Sequence, residues 1–410
     1  MRDDDFAAAA AATTIETQAG PAHPMVLNMG PQHPSTHGVL RVILELDGET
    51  VLKAQPVIGY LHTGIEKSCE SKTYSQCITL TDRIDYLAPL SNNLCFCLAA
   101  EKLLGLEVPK RAQYIRVLLT ELTRITSHLV WLGTHAIDLG AMSVFLYSFR
   151  EREEIMKIYE YVSGQRMMTS YFRVGGLALE PPPDLLDHVR RVVDAMPGHI
   201  DEYEDLLTQN RIWMGRTKGV GNLSLEDAIA MGASGPMLRG SGFKYDTRKN
   251  FPYSSYDEFD FDIPTQTAGD CYARYQVRVA EMRESLKIIR QAMEKVASTS
   301  GPFRADAPGV IPPQREEMKT SIEGLIYHFK IFTEGFAPPP GEVYQVIESP
   351  RGELGVFMVS DGSPKPYRVK FRTPSFVNLQ TLPKLSVGRM IADVVACIGT
   401  TDIVLGEVDR

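Results

Sequence analysis

The sequence lacks most features of a self-sufficient redox or nucleotide enzyme. No Gly-x-Gly-x-x-Gly follows a strand. The nearest approach, Gly219-Val220-Gly221, lacks the third glycine, so no helix N-terminus is prepared for a dinucleotide pyrophosphate. Neither a Walker phosphate loop nor a Gly-x-Ser-x-Gly nucleophile elbow occurs. The chain is therefore not expected to bind NAD, FMN or another nucleotide itself. Its six cysteines, Cys69, Cys77, Cys95, Cys97, Cys271 and Cys397, form no Cys-x-x-Cys and pair with no histidine at zinc spacing. That excludes a four-thiolate cluster site within the chain. Cys95 and Cys97 lie in an apolar stretch and are expected to be buried structural thiols. Basic excess is missing as well: the formal charge is −8, the wrong sign for a general nucleic-acid binder.

No leader is expected either. MRDDDF and the Ala/Thr run after it have neither the basic start and apolar core of a signal peptide nor the Arg-rich pattern of a transit peptide. The chain is expected to remain where it is made, in a bacterial cytoplasm. The longest apolar segment, Leu129 to Phe149, carries His135 and Asp138 near its middle, which lipid would penalise. A buried bundle helix and its exit loop are expected there, and no transmembrane helix.

What is present reads as α+β. Residues 1–22 are expected to be a flexible arm, and 23–68 a β region. In that region alternating apolar residues flank the Asp47-Gly48 turn, and the loop GPQHPSTHG separates the first two strands. Residues 69–300 are expected to form a mainly helical bundle. Ile115, Leu118, Leu122, Ile125, Leu129 and Leu132 recur at steps of three and four. Tyr275, Val279, Met282, Leu286, Ile289, Met293 and Val296 do the same. Further helices are expected over 142–163 and 183–208, and an irregular segment over 209–270. Residues 301–410 form a C-terminal α+β region, with a short helix near 316–331 and a hairpin between 353–360 and 366–372.

Four polar residues stand in unusual places. His33 and His37 lie in a loop held by prolines, where an imidazole can donate a proton, or simply be a solvated loop residue. Tyr86 sits in TDRIDYL, and a tyrosine there reads as core or as a phenol donor. Asp138 closes the first long helix and has a plain reading as a helix-terminal turn. Singly, none of them fixes a function.

Together with their surroundings they do. GPQHPSTHGVLR, YLHTGIEK, TDRIDYL, ASGPMLR (233–239), IYHFK, FTEGF, GEVYQVIESPRGELG, VSDG and PYRVKFRTPSF occur in this order over residues 25–410. The set resembles the 49 kDa hydrogenase-like subunit of respiratory complex I. An older resemblance, to nickel–iron hydrogenase large subunits, underlies it. In those proteins Arg-Gly-x-Glu is followed after sixteen residues by Arg-x-Cys-Gly-x-Cys; here Gly64-Ile65-Glu66 is followed after sixteen residues by Arg83, with Asp85 and Ala88 at the cysteine positions. At the C-terminus, Val404 and Glu407 stand where the hydrogenases have their second pair. A soft nickel–iron centre needs those thiolates, so no nickel is expected.

The resemblance implies a peripheral-arm subunit of a proton-pumping NADH:quinone oxidoreductase, on the cytoplasmic face of the bacterial inner membrane (the matrix face if mitochondrial) and active only in the assembled complex. It implies quinone as substrate, with His37 and Tyr86 hydrogen-bonding the headgroup and Asp138 paired with His37. An imidazole near pKa ~6.5 and a phenol near ~10 can each donate to a quinone oxygen as charge develops. The electrons are implied to come from a [4Fe–4S] cluster ligated by a neighbouring iron–sulfur subunit, with Arg83 against that cluster. Met168 occupies a position where many members carry a cluster-proximal histidine. Other implied partners are a 30 kDa-type peripheral subunit, a quinone-channel membrane subunit and the remaining complex I subunits, with no nucleic acid. A scaffold subunit in a ferredoxin-driven relative or a membrane hydrogenase assembly is the alternative.

Overall fold

In the computed structural model, which describes residues 24–410, the chain starts as a three-stranded antiparallel meander. The arm expected over 1–22 and the N-terminal stretch read for a leader lie outside the described residues. Strands β1 (Met25–Met29), β2 (Arg41–Asp47) and β3 (Thr50–Val57) pair in the order β1-β2-β3. Val42, Leu44 and Leu46 point inward at period two, and the β2–β3 turn falls at the expected Asp47-Gly48. Gly48 takes φ +58°, a conformation a turn of this kind requires.

Helix α1 (Pro89–Leu104) begins on a proline at its first turn and ends at Gly105 in the left-handed region. Sequence periodicity did not single it out, because it is buried nearly all round, polar Ser91, Asn92, Asn93 and Glu101 included: it packs between α2 (Lys110–Asp138) and the C-terminal sheet. A three-residue turn joins α2 to α3 (Met142–Ser163), which therefore runs back antiparallel. Together with α4 (Leu185–Leu207) and α5 (Cys271–Ser298) they close a bundle in which α2 contacts α3 and α5, and α4 contacts α3 and α5. The first apolar stripe is wholly buried in α2. The apolar segment Leu129–Phe149 is thus one helix end, a turn and the next helix start. No helix among the described residues is long and apolar enough to cross a membrane.

The segment expected to be irregular, 209–270, carries four short α-helices and a 3-10 turn at Tyr256–Glu258, linked by turns. The helix expected near 316–331 is two helices, Arg315–Thr320 and Ile322–Thr333. Ser321 separates them: its backbone is extended, and its side chain accepts from Gly324 N at 3.1 Å as a new N-cap. Strands β4 (Gly341–Ser349), β5 (Gly352–Ser360) and β6 (Arg368–Arg372) form the second meander. Beyond it come α6 (Pro374–Leu379), a short turn of helix at Leu382–Ser386, α7 (Ile391–Thr401) and α8 (Leu405–Asp409).

Two apolar cores result. One fills the bundle and the inner face of β4–β6. The other joins the N-terminal meander to α7 and α8, so the two ends of the described residues share one core. Apolar burial is interrupted by paired charges on α2. Arg116 donates to Glu101 through both terminal nitrogens at 3.0 and 2.6 Å, Arg248 and Arg124 converge on Glu121, and His128 Nε2 lies 2.9 Å from Glu281. A buried ion pair of this kind constrains geometry more than it adds stability, since desolvation offsets most of the Coulomb gain.

Candidate active site

The loop between β1 and β2 is shaped by Pro34, which starts a single 3-10 turn over Pro34–Thr36. Thr36 is buried and donates to His33 O at 2.7 Å, anchoring the turn from beneath. The next residue, His37, is left-handed at φ +53°, a costly conformation for a side-chain-bearing residue. This backbone aims the imidazole at the end of α2, where its Nε2 lies 2.8 Å from Asp138 Oδ2. The two side chains are only 12% and 9% exposed, so the pair is little screened by solvent. His33 is placed differently. It is exposed, and its Nδ1 accepts from Ser35 N at 3.2 Å as the cap of the same turn.

Tyr86 stands on the turn that precedes α1. Asp85 Oδ1 accepts from Leu87 N at 3.1 Å and Ala88 N at 3.3 Å, and these bonds fix the backbone on either side of Tyr86. The phenol is half-buried and accepts or donates no hydrogen bond among the described residues. Desolvation, then the Asp85 carboxylate, raises its pKa above the ordinary tyrosine range.

Helix α8 brings these pieces together. Gly38, beside His37, faces Leu405: a Cβ at Gly38 would lie 3.2 Å from its Cδ1. A Cβ at the next residue, Gly406, would lie 2.8 Å from both Arg83 O and Ile84 O and 3.5 Å from the Tyr86 ring. Only glycine allows this approach at position 406. The histidine loop and the tyrosine turn thus rest on consecutive residues of one short helix. The helix is held in turn by Asp409, which accepts from Gly59 N at 2.8 Å and Leu61 N at 2.6 Å, while His62 Nδ1 lies 2.7 Å from Asp409 O.

Under Tyr86 lies a charged pocket that only its acidic members foreshadowed. Arg351, on the β4–β5 turn and fully buried, donates Nη1 to Asp85 Oδ2 and Nε to Asp402 O at 2.9 Å, and sets Nη2 3.4 Å from Asp402 Oδ1. Glu407 is buried beside them. Its Oε2 accepts from Ser375 N at 3.2 Å and from the Ser375 hydroxyl, while Oε1 meets no protein donor. Burial first, and then the nearby Asp85 carboxylate, push the Glu407 pKa up to about 8. The segments carrying Asp85 and Ala88 and those carrying Val404 and Glu407 are therefore brought together, as the hydrogenase resemblance implied, with a guanidinium between the acids. Arg351 lies within the GEVYQVIESPRGELG motif but reads there as a turn cation. Its signal would have been two acids without a partner elsewhere in the sequence.

Above the pair, His135 is buried between Trp131 and Trp213 at ring separations of 5.5 and 5.3 Å, with neither ring nitrogen hydrogen-bonded to protein. Burial drives its pKa down to about 3, so it stays neutral next to His37.

Arg83 and Met168 meet elsewhere. Both line a cavity of about 830 Å³, together with Arg173, His328 and Phe332. Met168 and Ser170 are left-handed at φ +54° and +42°, and the Ser170 hydroxyl donates to the buried Asp82. Burial raises the Asp82 pKa to about 6 against that bond. Only two residues separate Arg83 from Tyr86, so this cavity and the phenol lie on the two sides of one turn. All six cysteines are buried and unpaired, and among the described residues no group of three or more His, Cys, Asp or Glu is set to hold a metal ion.

Comparison with known proteins gives the family. The family described as "Respiratory-chain NADH dehydrogenase, 49 Kd subunit" matches residues 138–410. An NADH-quinone oxidoreductase subunit of Solibacter usitatus is 67% identical over 386 residues, 94% of each chain. Its namesake in Koribacter versatilis is 64% identical, over 96% of this chain and 98% of its own. That of Chloroflexus aurantiacus is 61% identical over 96% of each. With its length covered at this identity, the chain belongs to the family of the 49 kDa subunit of the respiratory-chain NADH dehydrogenase, complex I.

Proposed function

We propose that this chain forms, with an iron–sulfur partner subunit, the site where a quinone is reduced to quinol in a proton-pumping NADH:quinone oxidoreductase. The names of its relatives support the activity. The observation that carries the site is the His37–Asp138 pair at 2.8 Å, seated with Tyr86 on adjacent residues of α8. Quinone reduction takes two electrons and two protons. The electrons come from the partner's [4Fe–4S] cluster, and this chain supplies protons at stated atoms.

His37 presents one imidazole nitrogen to a headgroup oxygen while Asp138 holds the other, which fixes ring orientation and tautomer. Tyr86 presents its free phenol to the opposite oxygen. Each donor meets the headgroup where negative charge develops, so each is worth roughly 10²–10⁴ in rate. Arg83, on the far side of the Tyr86 turn, places a positive charge toward the cluster-bearing partner and favours the cluster's reduced form. The peripheral subunit of 30 kDa type and the membrane subunit of the quinone channel complete the surroundings, at the cytoplasmic face of the inner membrane. Protonation of the quinone releases His37 from Asp138, and the β1–β2 loop moves; this motion is the signal to the membrane arm.

The test is Tyr86→Phe in the assembled complex, with NADH reduction of the iron–sulfur chain followed in parallel. Quinone turnover should collapse while the clusters still reduce normally. Unchanged turnover would make Tyr86 a packing residue and leave the chain a scaffold. A crosslink that immobilised the β1–β2 loop without impairing pumping would refute the loop's part in coupling.

A further inference from the structure

The pocket beneath Tyr86 contains more acid than its one guanidinium can neutralise. Asp85, Asp402 and Glu407 surround Arg351, and the next cation, Arg278, has Nε 3.9 Å from Asp402 Oδ2. All five groups are buried. Three carboxylates against two guanidiniums leave one uncompensated charge in a low-dielectric space, and a proton is the least costly relief. Geometry selects its position. Asp85 has Arg351 and two backbone N–H donors, Asp402 has two arginines, and Glu407 has no cation in contact, only Ser375. Both Ser375 donors go to Oε2, so the proton resides on Oε1, the oxygen without a protein donor. The charged groups acting on Glu407 are Asp85 from the 82–88 turn and Arg351 from the β4–β5 turn, and Arg351 in turn faces Asp402 at the end of α7 and Tyr86.

We propose that the buried acids Glu407 and Asp85, lying near Arg351 directly behind the Tyr86 turn, store the proton that restores Tyr86 after it has donated to quinone. The inference rests on Tyr86 being a headgroup donor, as argued above. Tyr86 gives its O–H proton to the quinol oxygen and becomes a phenolate. The O–H bond of Glu407 breaks, its proton passes by way of Asp85 to the phenolate oxygen, and the nearby charge of Arg351 stabilises the resulting carboxylate without contact until solvent returns a proton. No electrons move in these steps. The position of α8 makes this possible: Gly406 rests on the 83–86 backbone and the Tyr86 ring, and Glu407 follows it immediately. Glu407 acts through Tyr86 and is a relay residue, not a contact to substrate. The plain physical support is the same carboxyl being neutral up to about pH 8, so that it carries a proton at the working pH.

Glu407→Gln in the assembled complex tests this, with quinone turnover, quinone KM and cluster reduction by NADH read across pH. The amide still accepts from Ser375 but carries no transferable proton. Turnover should fall roughly tenfold or more with KM nearly unchanged and clusters reducing normally. The alkaline decline of the wild type near pH 8 should vanish. In the infrared spectrum of the resting complex, one protonated-carboxyl band should be lost. Ser375→Ala is the second variant: without the hydrogen bond that favours the carboxylate, the alkaline decline should move to higher pH. Wild-type turnover and pH profile in Glu407→Gln, with Tyr86→Phe inactive, would overturn the relay while leaving the quinone site intact. Normal turnover in Tyr86→Phe would remove the site reading and this inference with it. Should Glu407→Gln not assemble, an unmoved alkaline limb in Ser375→Ala overturns the relay.

Discussion

The contact between His37 and Asp138 can be weighed by replacing Asp138 with asparagine. In the native pair, Nε2 and Oδ2 lie 2.8 Å apart and both side chains are about nine-tenths buried. A hydrogen bond to a charged group contributes about 1.5–3 kcal/mol, and a neutral one about 0.5–1.5. Asparagine keeps the shape and removes the charge, so the orienting interaction loses about 1–2 kcal/mol. At about 1.36 kcal/mol per tenfold, that is a fall of about 5- to 30-fold in quinone kcat/KM. His37→Ala removes the donor itself and should cost about 10²–10⁴. Because Asp138 acts only through His37, the double variant should be no worse than His37→Ala alone, a coupling as large as the smaller single effect. The assay is NADH-driven quinone reduction by membranes, with cluster reduction as control. Two results would refute the reasoning: an Asp138→Asn enzyme within about twofold of wild type, or single losses that multiply in the double variant.

Other perturbations follow from the same geometry. Glu407 is neutral in the fold up to about pH 8, whereas the unfolded chain ionises it near 4.5, so its raised pKa costs stability as pH rises. The stability it leaves intact below about pH 4.5 should drain by up to about 1.4 kcal/mol per pH unit until the folded pKa is passed. Glu407→Gln should therefore raise the thermal unfolding midpoint of the purified complex more at pH 8 than at pH 5; equal shifts at both would contradict this. Arg351→Met leaves Asp85 without its cation and Asp402 with Arg278 alone, and should destabilise the complex by about 3–5 kcal/mol in denaturant titration. Methionine at 168 has no titratable proton, so the cluster potential should depend less on pH than in relatives with histidine there. A redox titration with a slope near one proton per electron would rule that out.

The parts of this molecule that could be read from the sequence are those whose partners are near in the chain. The β1–β3 meander follows from alternation and an Asp-Gly turn, and α2 and α5 from apolar residues at steps of three and four. Helix α1 escaped because burial on every side erases periodicity. The charges inside the bundle escaped for a different reason. A polar residue on a helix is assigned to solvent unless its counterion is known, and the counterions here lie far off: Glu281 is 153 residues from His128, and Asp85 is 266 from Arg351. The site shows the same division. His37, Tyr86 and Asp138 each had an ordinary structural reading, and only the order of the surrounding motifs joined them, although the pair itself spans 101 residues. The four lost thiolate positions were legible as absences. What replaced the metal's positive charge was not, because Arg351 comes from a third segment, a β-turn whose arginine reads as an ordinary turn cation. Removing a cation from between two acid-bearing segments would have left buried carboxylates facing one another. A guanidinium between them, with one acid protonated as proposed, keeps the 82–88 turn packed against the C-terminal segment and leaves a titratable proton behind the phenol.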